Sequence, residues 1–257
     1  MEHQNEYDDS MVAMLELVWG EGFMAPGGAG HVAKMVEGFE LEGRHLLDIG
    51  CGLGGPACIL AEEYGAHVVA TDLEPPLIER ARRRAATRSL GDRARFEVVT
   101  PGPLTFDDDS FDLVMSSGGV TQTADKLGIF RECLRVLKPG RSFSGYDWMR
   151  TEGEFSEDMK YWLEMEGLTY AMETPRGQEE TLRQAGFEEI RIVDASAWYR
   201  AQVRREHERL ATSDFPRLVE MIGREAADHA VENWRATVVV CEKEEMLQVY
   251  TRARKPQ

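Results

Sequence analysis

The stretch Leu46-Leu47-Asp48-Ile49-Gly50-Cys51-Gly52-Leu53-Gly54-Gly55 decides the fold. Its first four residues read as a buried strand, the glycines after them as a turn, and Gly55 to Tyr64 as an amphipathic helix. Glycines lack a Cβ, so a ligand can approach the backbone closely, and a helix opening at that point directs free N–H groups toward it. A second apolar run, Val68 to Thr71, ends in Asp72. An acidic residue at that strand end is placed to accept hydrogen bonds from ribose hydroxyls.

Gly50, Gly52 and Gly55 also satisfy the G-x-G-x-x-G spacing of a nicotinamide-binding turn, so spacing alone leaves that option open. Asp48 separates the two readings. A carboxylate two residues before the first glycine would face a pyrophosphate unfavourably, yet it pairs well with the ammonium of a methionine moiety. The turn is therefore read as a site for S-adenosyl-L-methionine.

Outward from this point the chain alternates. A helix from Pro76 to Arg88 precedes strands at Phe96–Val99, Phe111–Ser116 and Ser142–Asp147. A helix before the last of these carries Leu127, Phe130, Leu134 and Leu137 on one face and stops at Lys138-Pro139-Gly140. Alternation of this kind predicts parallel strands joined by crossovers. Beyond Asp147 an acidic, aromatic segment, Trp148 to Glu173, breaks the rhythm; Thr174-Pro175 caps another helix, which ends near Gly186. Ile190–Val193 reads as a strand, Trp198–Glu245 as a helical insertion, and Leu247–Arg254 as the final strand. Upstream, Met11, Met14, Leu15 and Val18 fall at helical spacing before a turn containing Gly20, Gly22, Gly27 and Gly28. The expected fold is α/β: a Rossmann-like, seven-stranded, mostly parallel sheet flanked by helices, with an N-terminal helical lid and helical cap insertions. Residues 1–40 form the lid helices and glycine loop, 41–147 the cofactor core, and 148–257 the substrate cap interleaved with the remaining strands, all in one domain.

With 46 acidic and 30 basic side chains in 257 residues the formal charge is -16, which disfavours nucleic acid and anionic membrane surfaces as partners. The four cysteines show neither zinc-site pairs nor secretory disulfide spacing. Met1 to Ser10 has no signal-peptide character, and no apolar run approaches the ~18 residues a spanning helix needs. These features predict a cytoplasmic protein with reduced thiols, no metal and a small-molecule substrate. Oligomeric state is not encoded legibly.

The segment around Asp48 resembles motif I of class I S-adenosylmethionine-dependent methyltransferases, and nearly the whole chain resembles the phosphoethanolamine methyltransferase type. The likeness rests on Tyr7, on Trp19-Gly20-Glu21-Gly22-Phe23 leading to Gly27-Gly28, on Leu47-Asp48-Ile49-Gly50 through Gly54-Gly55, on Tyr64-Gly65-Ala66-His67, on Phe111-Asp112-Leu113, on Leu137-Lys138-Pro139 and on Glu206-His207. It implies that Met24 and Ala25 flank the cofactor, that Asp48, Gly50, Gly52 and Gly54 cradle its methionine end, and that Asp72 and Leu73 hold ribose and adenine. Thr100 and Ser116 complete that set, and Tyr7 closes over the reacting centre. The departures are equally specific. Thr100 stands for an aspartate near the adenine, Gln122 for the catalytic histidine, and Gly118 for an aspartate near the substrate amine. Phosphate-holding positions fall on Trp148, Leu168 and Thr237, none of them basic.

Methyl transfer from a sulfonium is an in-line displacement, so alignment supplies most of the catalysis, but a primary ammonium must first lose a proton. Gln122 stands at the catalytic position yet cannot take that proton; Tyr7, Asp147 and water are the candidates. Tyr7 can equally be a packing tyrosine and Asp147 a strand-end cap. Trp148, Trp162, Tyr170, Trp198 and Tyr199 form either ordinary core or, where they face the cofactor, a cage for an ammonium; Trp148, Tyr170 and Trp198 are the candidate substrate residues. Glu164, Glu166 and Glu173 would add attraction. The expected reaction is N-methylation of a small amine other than phosphoethanolamine, with S- or O-methylation, or an inactive S-adenosylmethionine-binding protein, as alternatives.

Overall fold

Phe111, Leu113, Val114 and Met115 form the apolar body of Phe111–Ser117, a strand buried over all but its last residue, as expected for the centre of a parallel sheet covered on both faces. In a computed structural model that describes residues 7–257, this strand is β4 of a seven-stranded sheet. The others are β1 (His45–Ile49), β2 (His67–Asp72), β3 (Ala94–Val98), β5 (Leu137–Arg150), β6 (Glu188–Asp194) and β7 (Met246–Arg254), in the order β3-β2-β1-β4-β5-β7-β6. The first five strands pair in parallel, and β7 runs antiparallel between β5 and β6. The strand order reverses between β1 and β4, the point at which open α/β sheets place their ligands.

Successive residues of β1 face opposite sides, so Leu46 joins one core and Leu47 the other. Leu46 packs with α3 (Gly55–Glu63) and α4 (Pro75–Thr87) through Cys58, Leu60, Ile78 and Ala81. Leu47 packs with Phe130 and Cys133 of α6 (Lys126–Val136), which follows the short α5 (Gly119–Gln122), and with Leu182 of α8 (Pro175–Ala185). Thr174 caps α8 through Gly177 N, and Gly186 closes it in the left-handed region, as its sequence predicts.

A third cluster is built away from the sheet. Met159 and Trp162 of α7 (Glu157–Glu166), Tyr199 and Val203 of α9 (Ser196–Ala211), Leu218 of α10 (Phe215–Ile222) and Trp234 and Val240 of α11 (Arg224–Glu242) pack together. Met14, Leu15 and Val18 of α1 (Asp9–Trp19) join this cap cluster rather than the sheet core. The lid helix is thus fastened to the cap, and a hollow is left between them and the strand ends. A second N-terminal helix, α2 (Gly28–Met35), packs on α3 and carries buried His31.

Two readings need correction. The buried face of α6 is Phe130, Cys133 and Val136, while Leu127 and Leu134 are half-buried and Leu137 already lies in β5. β5 also continues to Arg150 rather than stopping at Asp147, because Trp148, Met149 and Arg150 find ladder partners in Gln248, Leu247 and Met246. Residues 1–6 of the N-terminal reading lie outside the described residues. Among the described residues no helix is long and apolar enough to cross a membrane.

Candidate active site

The turn after β1 is held by backbone bonds: Gly50 N and Cys51 N both donate to Thr71 O, at 2.9 and 3.0 Å. Gly50 (φ +70°) could not be replaced, since a Cβ there would sit 2.8 Å from the Gly119 Cα. Asp72, at the end of β2, accepts from Gly52 N (2.8 Å) and Glu74 N (3.0 Å), which fixes its carboxylate beside the turn. Burial pushes its pKa up. Asp48 is wholly buried, and neither of its oxygens has a hydrogen-bond partner. Burial, reinforced by the charge of Asp72, raises its pKa to about 7. A buried carboxylate without partners is costly and is rare unless a ligand completes it.

These strand ends floor a cavity of about 820 Å³ roofed by α1, the loop after it and the cap. Met24, Ala25, Gly50, Gly52, Asp72, Leu73 and Thr100 line one end; Tyr7, Gln122, Asp147, Trp148 and Tyr170 line the other. Gln122 Nε2 donates to the Tyr7 hydroxyl at 2.9 Å, so the two positions assigned to the reacting centre do meet. The Asp147 Oδ1 accepts from Thr121 N and Thr121 Oγ1, both at 3.0 Å, while Oδ2 is buried and unpartnered. Its pKa rises to about 6, chiefly by burial.

Four expected residues stand elsewhere. Asp48 lies beneath the cavity floor rather than on its wall. Gly54 (φ +76°) makes room for Phe96 and Ala81, a packing role within the core. The Ser116 side chain turns away from the cavity toward Gly119, because side chains alternate along β4, and its neighbour Ser117 lines the wall instead. Trp198 is 40% exposed on the outer side of α9, while Tyr199, one residue on, points inward. Of the five cap aromatics, Trp148, Tyr170 and Tyr199 face the cavity, and Trp162 stacks behind Tyr170 with ring centres 5.5 Å apart. Of the three acidic residues, Glu166 alone lines the cavity.

The sequence assigns no role at the site to several other residues on or beside the wall. Trp19 and Trp234 both line the cavity, and both indole N–H groups donate to buried Glu206, at 3.1 and 3.2 Å. That carboxylate ties the end of the lid helix to the cap. His31 Nε2 lies 2.8 Å from Ser117 Oγ, and burial lowers its pKa to about 3, which keeps the imidazole neutral. Asn233 and Gln248 complete the wall from α11 and β7. Such residues become visible only when helices distant in sequence converge.

Residues 46–140 match the family model of a methyltransferase domain. With its strand order and the turn at the switch point, the match identifies residues 46–140 of the chain as a class I S-adenosylmethionine-dependent methyltransferase domain. Within that class the chain is related to the phosphoethanolamine methyltransferase type. It is 28% identical over 241 residues to phosphoethanolamine N-methyltransferase 1 of Arabidopsis thaliana, covering 93% of this chain and 48% of that protein. The structure of phosphoethanolamine N-methyltransferase 2 of Haemonchus contortus, in complex with phosphomonomethylethanolamine and S-adenosylhomocysteine, superposes with a TM-score of 0.91 at 25% identity, over 98% of this chain and 58% of that one. Geranyl diphosphate C-methyltransferase of Streptomyces coelicolor A3(2) shares the fold at 17% identity and a TM-score of 0.73, over 88% and 79% of the two chains. The chain spans about half the length of the curated phosphoethanolamine methyltransferases it matches.

Proposed function

We propose that this chain is an S-adenosylmethionine-dependent N-methyltransferase acting on a small amine that carries no phosphate. The residues fit the cofactor. Asp48 would face its ammonium from below the floor, Gly50 and Gly52 leave room for its methionine end, and Asp72 would take the ribose. Leu73 and Thr100 would flank the adenine, with Met24 and Ala25 above. Bound there, S-adenosylmethionine supplies an electrophilic methyl group on a sulfonium.

The observation that carries the substrate reading is the charge of the wall. Six of its residues are acidic, and Arg131 of α6 is the single cation among the described lining residues. Aromatic rings and carboxylates attract an ammonium and repel a phosphate dianion. Tyr7 and Gln122, bonded to each other, would close the reacting centre and exclude water. The free Asp147 oxygen is the general base, since a pKa of about 6 leaves it largely ionised near neutral pH while still able to accept a proton. Four free, buried thiols suit a reducing compartment, the cytoplasm.

The test has two arms. Calorimetry with S-adenosylhomocysteine should give tight binding, weakened by about 1 to 3 kcal/mol in Asp72→Ala; no heat with the parent protein would remove the cofactor assignment. Radiolabelled methyl transfer should then favour simple amines over phosphoethanolamine, and phosphoethanolamine as the best acceptor would overturn the substrate reading.

A further inference from the structure

The position that the resemblance assigns to phosphate contacts lies in the segment ending α7 and on α11, where the cavity wall carries Glu166, Leu168, Asn233 and Thr237. These groups form a defined polar site. Glu166 Oε1 accepts from Asn233 Nδ2 at 3.2 Å and Oε2 from the Tyr170 hydroxyl at 3.1 Å. The first bond fixes the Asn233 amide, because only its nitrogen can face a carboxylate; its oxygen is therefore the atom left over. Asn233 is 7% exposed, and that Oδ1 is buried without a partner. Thr237 has no spare donor to offer it, since its hydroxyl donates to Asn233 O and accepts from Trp162 Nε1.

At the sheet end of the cavity two unpaired acceptors stand beside two buried groups that can donate, the Trp148 indole N–H and the Tyr146 hydroxyl. Gln248 Nε2 donates to Asp147 O at 2.9 Å, which leaves Gln248 Oε1 buried and unpartnered, as is Asp147 Oδ2. The two groups of acceptors are bridged by Trp148, which follows Asp147 in β5 and whose ring centre lies 5.9 Å from that of Tyr170. Buried acceptors left unpaired on the wall are matched by a ligand that brings N–H donors to each of them.

We propose that Glu166 and Asn233 form a second cation subsite, so that the substrate is a bifunctional amine: one nitrogen at Asp147, where it is methylated, and a second protonated amine at Glu166 and Asn233, with an aliphatic spacer along Trp148. This rests on the N-methyltransferase reading above and narrows it. The site is the charge inverse of a phosphate pocket: the distal group of the substrate is positive, held by a carboxylate and an amide oxygen. Glu166 is a specificity residue that does not touch the reacting nitrogen.

The test compares unbranched terminal diamines of three to five carbons with monoamines of equal length, using methyl transfer and, independently, calorimetric binding to the protein saturated with S-adenosylhomocysteine. The diamine should be preferred by about 10- to 100-fold in kcat/KM and in affinity, the value of one charged hydrogen-bonded contact. Glu166→Gln keeps the shape and removes the charge; it should collapse that preference to within about threefold while leaving S-adenosylhomocysteine affinity unchanged. Equal binding of diamine and monoamine to the parent protein would overturn the subsite, whatever the variant does, as would a preference that survives Glu166→Gln. If diamines bind preferentially but no amine is methylated, the subsite stands and the N-methyltransferase reading falls.

Discussion

The two ends of the cavity are made of different material. At the cofactor end, a few consecutive residues after β1 and β2 present backbone N–H groups and one fixed carboxylate, and the glycines matter for what they lack. The acceptor end is made of side chains: Tyr7, Gln122, Asp147, Glu166, Tyr199 and Asn233 come from six separate segments and meet only across the lid, sheet and cap. Backbone geometry is set by local sequence and changes little when a side chain does. A wall of side chains can be rebuilt one substitution at a time, so a fold of this kind can keep its cofactor turn while the groups that choose the acceptor change.

The sharpest way to break this contrast is at Asp147. Asp147→Asn should lower the methyl-transfer rate by about 100- to 10,000-fold, the usual worth of a general base, with S-adenosylhomocysteine binding unaltered. In the parent protein the rate should rise with pH through about 6 as the carboxylate ionises, and the variant should lose that limb. A pH profile that survives the substitution would assign the proton to another group and return Asp147 to a structural cap on Thr121.

Asp48 separates stability from function at the other end. Its pKa is about 7 when folded, against 3.8 for an ordinary aspartate, so the folded state binds a proton that the unfolded state has released between those values. Stability therefore falls as pH rises from about 4 to 7, and Asp48→Asn should remove the loss. At pH 8 the ligand-free variant should be more stable by a few kcal/mol, on the order of the shift converted at 1.36 kcal/mol per unit, with the difference vanishing near pH 4. It should also bind S-adenosylhomocysteine more weakly. Melting at both pH values checks the first statement and calorimetry the second; a variant destabilised at pH 8 would show that the carboxylate makes favourable contacts within the fold.

The smallest effect concerns the seam between the two ends. Arg84 of α4 donates to Glu16 of the lid helix at 2.5 Å and also to Leu53 O, and lies 3.5 Å from Glu21. Glu16 in turn receives Gly22 N at 2.7 Å. Arg84→Ala should speed cleavage of the lid by a glutamate-specific protease by roughly 5- to 10-fold, with S-adenosylhomocysteine restoring protection. A glutamate-specific enzyme is the suitable probe, because no lysine or arginine precedes Lys34. Unchanged cleavage would place the hold on the lid elsewhere, with Glu206 and its two indoles the next candidate.

Strand β1, its glycine turn, Asp72 and the caps of α8 are legible in the sequence because each depends on a short stretch: hydrophobic runs, residues that tolerate positive φ, and a Thr-Pro start. Direction within an element is less legible. Ser116 and Ser117 are adjacent, as are Trp198 and Tyr199, and in each pair only the second faces the cavity. A strand reverses its facing at every residue and a helix turns by about 100° per residue, so a one-step error in register exchanges wall for core or solvent. The start of the segment from Trp148 reads as cap in the sequence for a related reason: its partners in β7 lie about a hundred residues away, and no local pattern announces them.

The amino-acid sequence alone determined the α/β class and the cofactor turn, since each is a matter of local chemistry. Tertiary structure decided which polar atoms of the acceptor end are left unpaired. Asn233 Oδ1, Gln248 Oε1 and Asp147 Oδ2 are free only because Glu166, the Asp147 carbonyl and Thr121 have claimed the atoms beside them, and those claims depend on contacts between residues far apart in the chain. Hydrogen-bond capacity belongs to a residue, but whether any remains for a ligand belongs to the packed neighbourhood.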